Sequence, residues 1–398
     1  MKVLITTDCY TPTINGVVTS VLNLETELRR LGHDVKILCP SENIHCIERD
    51  DVYMIGSVGV NKIYNGARAA LRIGQKNLQK IIDWKPDIIH SQSEFSSFIM
   101  AKKIAAAVHC PIIHTYHTVY ENYTHYFSPS IALGRKAVIM MTKRILNHTE
   151  AVIAPSRKIE KMLQDYGVEQ PIKVIPTGLR LDKFSEDISH KSIDKLKADL
   201  CIPLNSKVLI TVGRAAKEKN ISELIRYFAK LNMKNTVFAI VGGGPYLSIL
   251  KELAESEGVA DKVIFTGAVS PDKIAEYYKF GDVFLSASQS ETQGLTYIEA
   301  LASGLPAVCR SDECLDGVIT NGVNGGQYTD FNEYSEMLKK LLYDDKVYIA
   351  MSENAVRTAQ KYSAEEFAKN VESVYMEILE KRDHYEIADT FYDCENCS

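Results

Sequence analysis

The feature that most constrains this chain is an alternation that runs through it twice: short apolar runs, each followed by a helix-length stretch whose apolar residues recur at helical spacing. Parallel strands are buried on both faces and so read as continuous apolar segments, and joining two of them needs a crossover, usually a helix. The pattern therefore predicts βα units around parallel sheets. In the first series the strands fall at residues 3–7, 35–39, 88–90, 112–116, 152–155 and 174–176. After the first strand, Val17, Val18, Val21, Leu22, Leu28 and Leu31 mark an amphipathic helix that Gly32 stops. A polar stretch from Asp182 to Leu204 precedes the second series, at residues 208–212, 237–241, 263–266, 283–286 and 306–309.

The expected class is α/β, with two doubly wound parallel-sheet domains over residues 1–182 and 183–362. A helix over 363–382, carrying Phe367, Val371, Val374, Tyr375 and Ile378, is expected to pack back on the first domain, with an acidic tail over 383–398. Open α/β sheets hold ligands at the carboxyl ends of their strands, so the active site is expected in the cleft between two facing domains. At 398 residues and 45% hydrophobic content, the chain can bury two such cores.

The nine cysteines are scattered and odd in number, and the chain opens directly on the strand-like Lys2-Val3-Leu4-Ile5. Both point to a reducing, cytoplasmic protein without a leader. No apolar run approaches the roughly 20 residues that span a bilayer, so membrane contact is expected to be peripheral. The net charge of -5 hides an asymmetry: residues 1–180 carry 22 Lys+Arg against 16 Asp+Glu, and the remainder 24 against 35. The first half is thus suited to an anionic surface, the bland alternative being ordinary surface variation. Nucleic acid is not expected, because no aromatic platform or recognition fold accompanies the basic stretches.

Two constellations carry chemistry. Ser290-Glu291-Thr292-Gln293-Gly294-Leu295-Thr296-Tyr297-Ile298-Glu299 lies between a strand and a helix. Gly294 permits a tight turn, so the N–H groups of Leu295 and Thr296 can face a phosphate oxygen from the helix start. Glu291 in the loop can reach sugar hydroxyls, and Glu299, two turns on, ribose hydroxyls. The bland alternative is a plain turn with two solvated glutamates. Val212-Gly213-Arg214-Ala215-Ala216-Lys217-Glu218-Lys219 follows the second domain's first strand. Arg214 and Lys219 can converge on a departing diphosphate, whose charge grows as the glycosidic bond breaks. Alone, such a pair is more often a solvated loop; its place after a strand raises it. Gly242-Gly243-Gly244 lacks dinucleotide spacing, Cys394-Glu395-Asn396-Cys397 has no partner pair for zinc, and Asp50-Asp51 has no metal-binding context. No metal ion and no bound cofactor are expected.

The Gly-Arg-x4-Lys element followed by Glu-x7-Glu resembles glycosyltransferase family 4, retaining enzymes of GT-B architecture with two facing Rossmann-like domains. The segment Tyr10-Thr11-Pro12-Thr13-Ile14-Asn15-Gly16-Val17-Val18 is similar to that family's glycine loop, and His114-Thr115-Tyr116-His117-Thr118 to its histidine segment. The likeness implies that Gly16 approaches the donor diphosphate, His117 lies beside the transferring sugar, Arg214 and Lys219 bind the diphosphate, Glu291 the sugar and Glu299 the ribose. It further implies that no protein base is needed, because the departing phosphate assists deprotonation of the acceptor; the alternative, a double displacement, needs a carboxylate nucleophile, for which Glu291 is the candidate. Asn15 departs from the family pattern, in which a second glycine is common.

Arg68, Arg72, Lys76 and Lys80 recur every fourth residue in a stretch, 61–82, without an acidic residue. On a helix they would form a basic side, which is how a peripheral protein docks on anionic lipid. Arg135-Lys136 and Lys143-Arg144 form a second basic patch. The bland alternative for each is a solvated face whose apolar side packs on the sheet. The segments 116–126 and 281–297 resemble bacterial diacylglycerol α-glucosyltransferases. That resemblance implies glucose transfer from UDP-glucose to the 3-hydroxyl of 1,2-diacylglycerol at the inner face of the cell membrane. A family 4 enzyme acting on a polysaccharide precursor or soluble acceptor would share the donor motifs, and a nucleotide-sugar epimerase is the rival of a different class.

Overall fold

The computed structural model describes the chain except for residues 14, 60–67, 72–74, 122–129, 187 and 396–398, and the side chains of residues 75, 131 and 383–395. The chain forms two compact units, Met1–Gly178 with Ala364–Ser398, and Leu179–Ser363. The first division falls a few residues before the position drawn from the sequence.

Unit 1 begins with β1 (Lys2–Thr6), α1 (Gly16–Arg30), β2 (Asp34–Pro40), β3 (Ile47–Arg49), β4 (Val52–Ile55), β5 (Ser57–Gly59) and β6 (Arg68–Ala70). It continues with α2 (Gln75–Trp84), β7 (Ile88–Ser91), α3 (Ser96–Val108), β8 (Ile112–Thr115), α4 (Ile131–Leu146), β9 (Ala151–Ala154), α5 (Arg157–Asp165) and β10 (Ile172–Val174). The main sheet runs β10-β9-β8-β7-β1-β2-β4-β3, parallel except for β3, and β5 and β6 form an antiparallel pair. The order reverses at β1 and β7, so their carboxyl ends flank the switch point where such sheets bind ligands. Helix α1 forms because Val18, Val21, Leu24 and Leu28 put one apolar stripe on the sheet, and because the Asn15 side chain accepts a hydrogen bond from Val18 N at 2.9 Å. Asn15, the departure from the glycine pattern, is therefore a helix cap.

The basic row expected over 68–80 is not a helix. Arg68 lies in β6, where its guanidinium donates to Ser41 O (2.8 Å) and Ser57 Oγ (2.6 Å), stitching the β5–β6 pair to the end of β2. Arg72 lies outside the described residues. Lys76 and Lys80 are on α2, and Lys80 is ion-paired with Glu48. The apolar side of α2 packs inward: Ile81 is fully buried, with Leu78 and Ile82 against the same core. The described cations of this row thus serve two different elements, and the apolar side of α2 is not available to a lipid surface.

Unit 2 comprises α6 (Asp182–Ser185), α7 (His190–Asp199), β11 (Lys207–Val212), α8 (Ile221–Leu231), β12 (Thr236–Val241), α9 (Leu247–Ser256), β13 (Val263–Gly267) and α10 (Ile274–Lys279). There follow β14 (Val283–Ser286), α11 (Leu295–Ala302), β15 (Ala307–Arg310), β16 (Gly325–Tyr328), α12 (Phe331–Tyr343) and α13 (Asp345–Gln360). The sheet is fully parallel in the order β13-β12-β11-β14-β15-β16, the doubly wound 3-2-1-4-5-6 arrangement counted within the unit. Its switch point lies between β11 and β14, the two strands after which the sequence placed its strongest motifs.

The last helix, α14 (Ala364–Glu395), belongs to unit 1. Phe367, Val371, Val374, Tyr375 and Ile378 join the core made by Val3, Val21, Leu24 and Ile88, each such burial contributing roughly 1.5–3 kcal/mol. Tyr375 Oη and His90 Nδ1 are 2.6 Å apart, and His33 Nε2 meets Glu372 at 2.7 Å. The helix runs on into the acidic segment expected to be a tail.

Candidate active site

In unit 2, β11 delivers Gly213 and Arg214 at its carboxyl end, and a short 3-10 turn over Lys217–Lys219 follows. The loop is braced by the triple glycine after β12. Ala215 N donates to Gly243 O (2.9 Å) and Tyr246 N to Ala215 O (2.9 Å). A Cβ on Gly242 would meet Gly213 O at 1.9 Å, and one on Gly244 would meet Ala215 O at 2.3 Å. Both glycines are therefore required by close backbone approach. Arg214 is ion-paired with Glu218, and Lys219 with Glu291. The structure brings Lys219 and Glu291 together, while Arg214 keeps over half of its side chain exposed.

Gly294 precedes α11 with φ +80°, and a Cβ there would meet the Tyr297 ring at 2.2 Å. The glycine is thus fixed twice, by backbone conformation and by space. Tyr297 is buried and pinned by Ser286 Oγ at 3.0 Å, which holds the start of α11 against the end of β14. The N–H groups of Leu295 and Thr296 stand in the first helical turn, where no intrahelical acceptor exists. One turn on, Glu299 accepts a hydrogen bond from Tyr278 Oη at 2.8 Å. Desolvation raises the Glu299 carboxyl above its ordinary range, and the Tyr278 hydrogen bond and Lys183 oppose that shift.

In unit 1, Gly16 opens α1 and is exposed. His117 follows β8, and its Nε2 donates to Gln92 Oε1 at 2.7 Å, just past the end of β7. That bond assigns the proton to Nε2 and leaves Nδ1 as an acceptor. Burial, first, and the neighbouring His114, second, push the His117 pKa down to about 3, so the ring is neutral at working pH. Gln92 is itself buried, and its amide nitrogen has no partner among the described residues. Beside this pair, Glu94 is buried and receives Tyr120 Oη and, at 3.3 Å, His114 Nε2. Burial raises the Asp8 carboxyl at the end of β1 to about 6, although it accepts from Phe95 N (3.0 Å) and Ser97 N (2.9 Å).

Sequence reasoning missed Gln92 and Tyr278. For Gln92 a signal existed: the polar run Ser91-Gln92-Ser93-Glu94 stands directly after a buried strand at a switch point. For Tyr278 there was none, because only the tertiary fold brings α10 to α11. Among the described residues, no group of three or more His, Cys, Asp or Glu is placed to hold a metal ion.

Unit 2 thus carries a glycine-started helix and two glutamates at its switch point, and unit 1 a buried, neutral histidine beyond one of its central strands. The family description "Glycosyltransferase Family 4" matches residues 14–183, and "Glycosyl transferases group 1" matches residues 192–358. The chain is 35% identical over 384 residues to an alpha-monoglucosyldiacylglycerol synthase of Streptococcus pneumoniae, covering 95% of this chain and 86% of that protein. It is 32% identical over 396 residues to the enzyme of the same name from Acholeplasma laidlawii, covering 96% and 98%. The chain belongs to glycosyltransferase family 4. HepE of Anabaena, solved in complex with UDP-glucose, has a TM-score of 0.73 at 16% identity, covering 95% of this chain and 100% of that one, a likeness of fold.

Proposed function

We propose that this enzyme transfers glucose from UDP-glucose, with retention, to the 3-hydroxyl of 1,2-diacylglycerol, working peripherally at the cytoplasmic face of a membrane. The observation that carries the acceptor is the near full-length identity to two enzymes named for monoglucosyldiacylglycerol synthesis. The donor reading is supported by the switch-point geometry of unit 2 and by a neighbour solved with UDP-glucose. No helix among the described residues is long and apolar enough to cross a membrane, which is compatible with peripheral attachment.

In this reading Arg214, Lys219 and the N–H groups of Leu295 and Thr296 take the diphosphate charge without a metal ion, with Gly294 setting the helix start. Gly16 admits the diphosphate closely. Glu299 accepts the ribose hydroxyls, Glu291 accepts sugar hydroxyls, and neutral His117 polarises the transferring sugar. The bond between the anomeric carbon and the β-phosphate oxygen breaks, and the acceptor oxygen bonds to that carbon on the same face. The acceptor proton passes to the departing diphosphate.

The test is incubation of the protein with UDP-glucose, EDTA and diacylglycerol in anionic mixed micelles, followed by mass spectrometry and anomeric NMR of the lipid extract. An α-hexosyl diacylglycerol is expected. Absence of lipid product despite UDP-glucose binding would overturn the acceptor assignment, and an isomerised nucleotide sugar would replace the transferase by an epimerase.

A further inference from the structure

Helix α4 offers what α2 does not. It runs Ile131–Leu146 without an acidic residue, begun by Ser130, whose side chain accepts from Leu133 N. At about 100° per residue, Lys136, Met140, Leu133, Arg144 and Ala137 fall within one sector roughly 100° wide. All five are exposed, Leu133 at 66% and Met140 at 70%. Gly134, Val138, Thr142 and Leu146 on the other side are buried in unit 1. Arg135 points away from this sector and is paired with Glu121 at 2.9 Å. Among the described residues Lys136 and Arg144 have no carboxylate partner, in contrast to Lys80.

We propose that this face of α4 is the surface by which the enzyme rests on an anionic phospholipid bilayer. The inference rests on the reading that the acceptor is a membrane lipid. Two large apolar side chains held in water between cations match the boundary of a bilayer, where Leu133 and Met140 enter the acyl region while Lys136 and Arg144 meet phosphates. One row of the helix thereby supplies both the hydrophobic and the electrostatic part of the attachment. The positive balance of residues 1–180 adds long-range attraction to the same partner.

The test is sedimentation of the full chain with vesicles of phosphatidylglycerol and phosphatidylcholine. Lys136→Glu with Arg144→Glu is expected to weaken partitioning by at least about tenfold at low salt, the deficit shrinking as salt screens both proteins. Leu133→Ser with Met140→Ser is expected to weaken it by roughly fivefold at every salt concentration. The circular dichroism spectrum and thermal midpoint should be unchanged in both, which establishes that they fold. Wild-type partitioning by both pairs would overturn the inference. Met140→Trp supplies a second reading, since anionic vesicles should shield its fluorescence from iodide over the constant background of Trp84, and unshielded quenching would equally defeat it. Diacylglycerol presented in nonionic micelles separates this inference from the acceptor reading: the paired variants should glucosylate it as wild type does, whereas no product from wild type would remove the acceptor and leave the vesicle result to judge α4.

Discussion

Lys219 Nζ is held on Glu291 Oε1, so the cation of the loop after β11 and the first carboxylate of the loop after β14 form one ion pair. A cation proposed for the diphosphate is therefore partly neutralised before donor binds. Replacing either residue should lower transfer, by a factor on the order of 10²–10³, but only one of the two replacements should weaken UDP binding. Lys219→Ala leaves Glu291 unopposed and should weaken UDP binding. Glu291→Gln releases Lys219 and should leave UDP binding unchanged or tighter. Calorimetric titration of UDP into both variants checks this; a parallel loss of affinity would show that Glu291 binds the nucleotide and is not the sugar-facing group.

Gly294→Ala should damage the site through the backbone. A Cβ there has φ +80° to contend with and the Tyr297 ring at 2.2 Å. The left-handed conformation costs about 1–2 kcal/mol and overpacking a further 1–3 kcal/mol. The expected outcome is a lowered thermal midpoint together with lost UDP binding, because Tyr297 also pins α11 to β14 through Ser286. A variant of wild-type stability that binds UDP would sink the argument.

The same glycines explain what was legible in the sequence and what was not. The strands at the switch points, β1, β7, β11 and β14, are apolar runs buried on both faces, and their side chains announce them. Strand β16 begins Gly325-Gly326, which no propensity would assign to a sheet, yet a Cβ on Gly325 would strike Ala307 O at 2.1 Å and one on Gly326 would strike Met337 Sδ at 2.4 Å. The short β3 and the β5–β6 pair were missed because they lack an apolar run, and reading 68–80 as one helix followed from treating a four-residue charge period as sufficient. Motifs carried by consecutive residues, such as Glu291 to Glu299, could be read directly. Partners from distant elements, Gln92 for His117 and Tyr278 for Glu299, required the fold.

His117 should be silent in the pH profile. Its pKa lies near 3 against 6.5 for a free imidazole, so between those values the unfolded chain binds a proton that the folded protein does not. Its contribution to stability is thus complete above pH 6.5 and is lost as the pH falls through that window. The wild-type kcat/KM profile should accordingly show no limb near 6.5 from this residue. Gln92→Glu places a carboxylate against Nε2, favours imidazolium and should introduce a limb between about pH 5 and 8 that His117→Gln in the same background removes. An unaltered profile in Gln92→Glu would mean that the 2.7 Å bond does not control the protonation of His117.

Tyr278→Phe tests the ribose assignment of Glu299 without touching the carboxylate. Burial raises the Glu299 pKa, and the Tyr278 hydroxyl, donating at 2.8 Å, is the first of the groups that oppose the rise. Removing it should push the carboxyl further up, so that the protonated fraction grows as the pH falls and a hydroxyl of the ribose loses its acceptor. A hydrogen bond to a charged group is worth about 1.5–3 kcal/mol, which corresponds to a KM for UDP-glucose raised by roughly 10–100-fold, with kcat changed far less because the ribose is bound alike in ground and transition states. The KM defect should be larger at pH 5.5 than at pH 8. If kcat fell while KM stayed constant, Glu299 would belong to the reacting centre, and the division of labour between the two glutamates would have to be reversed.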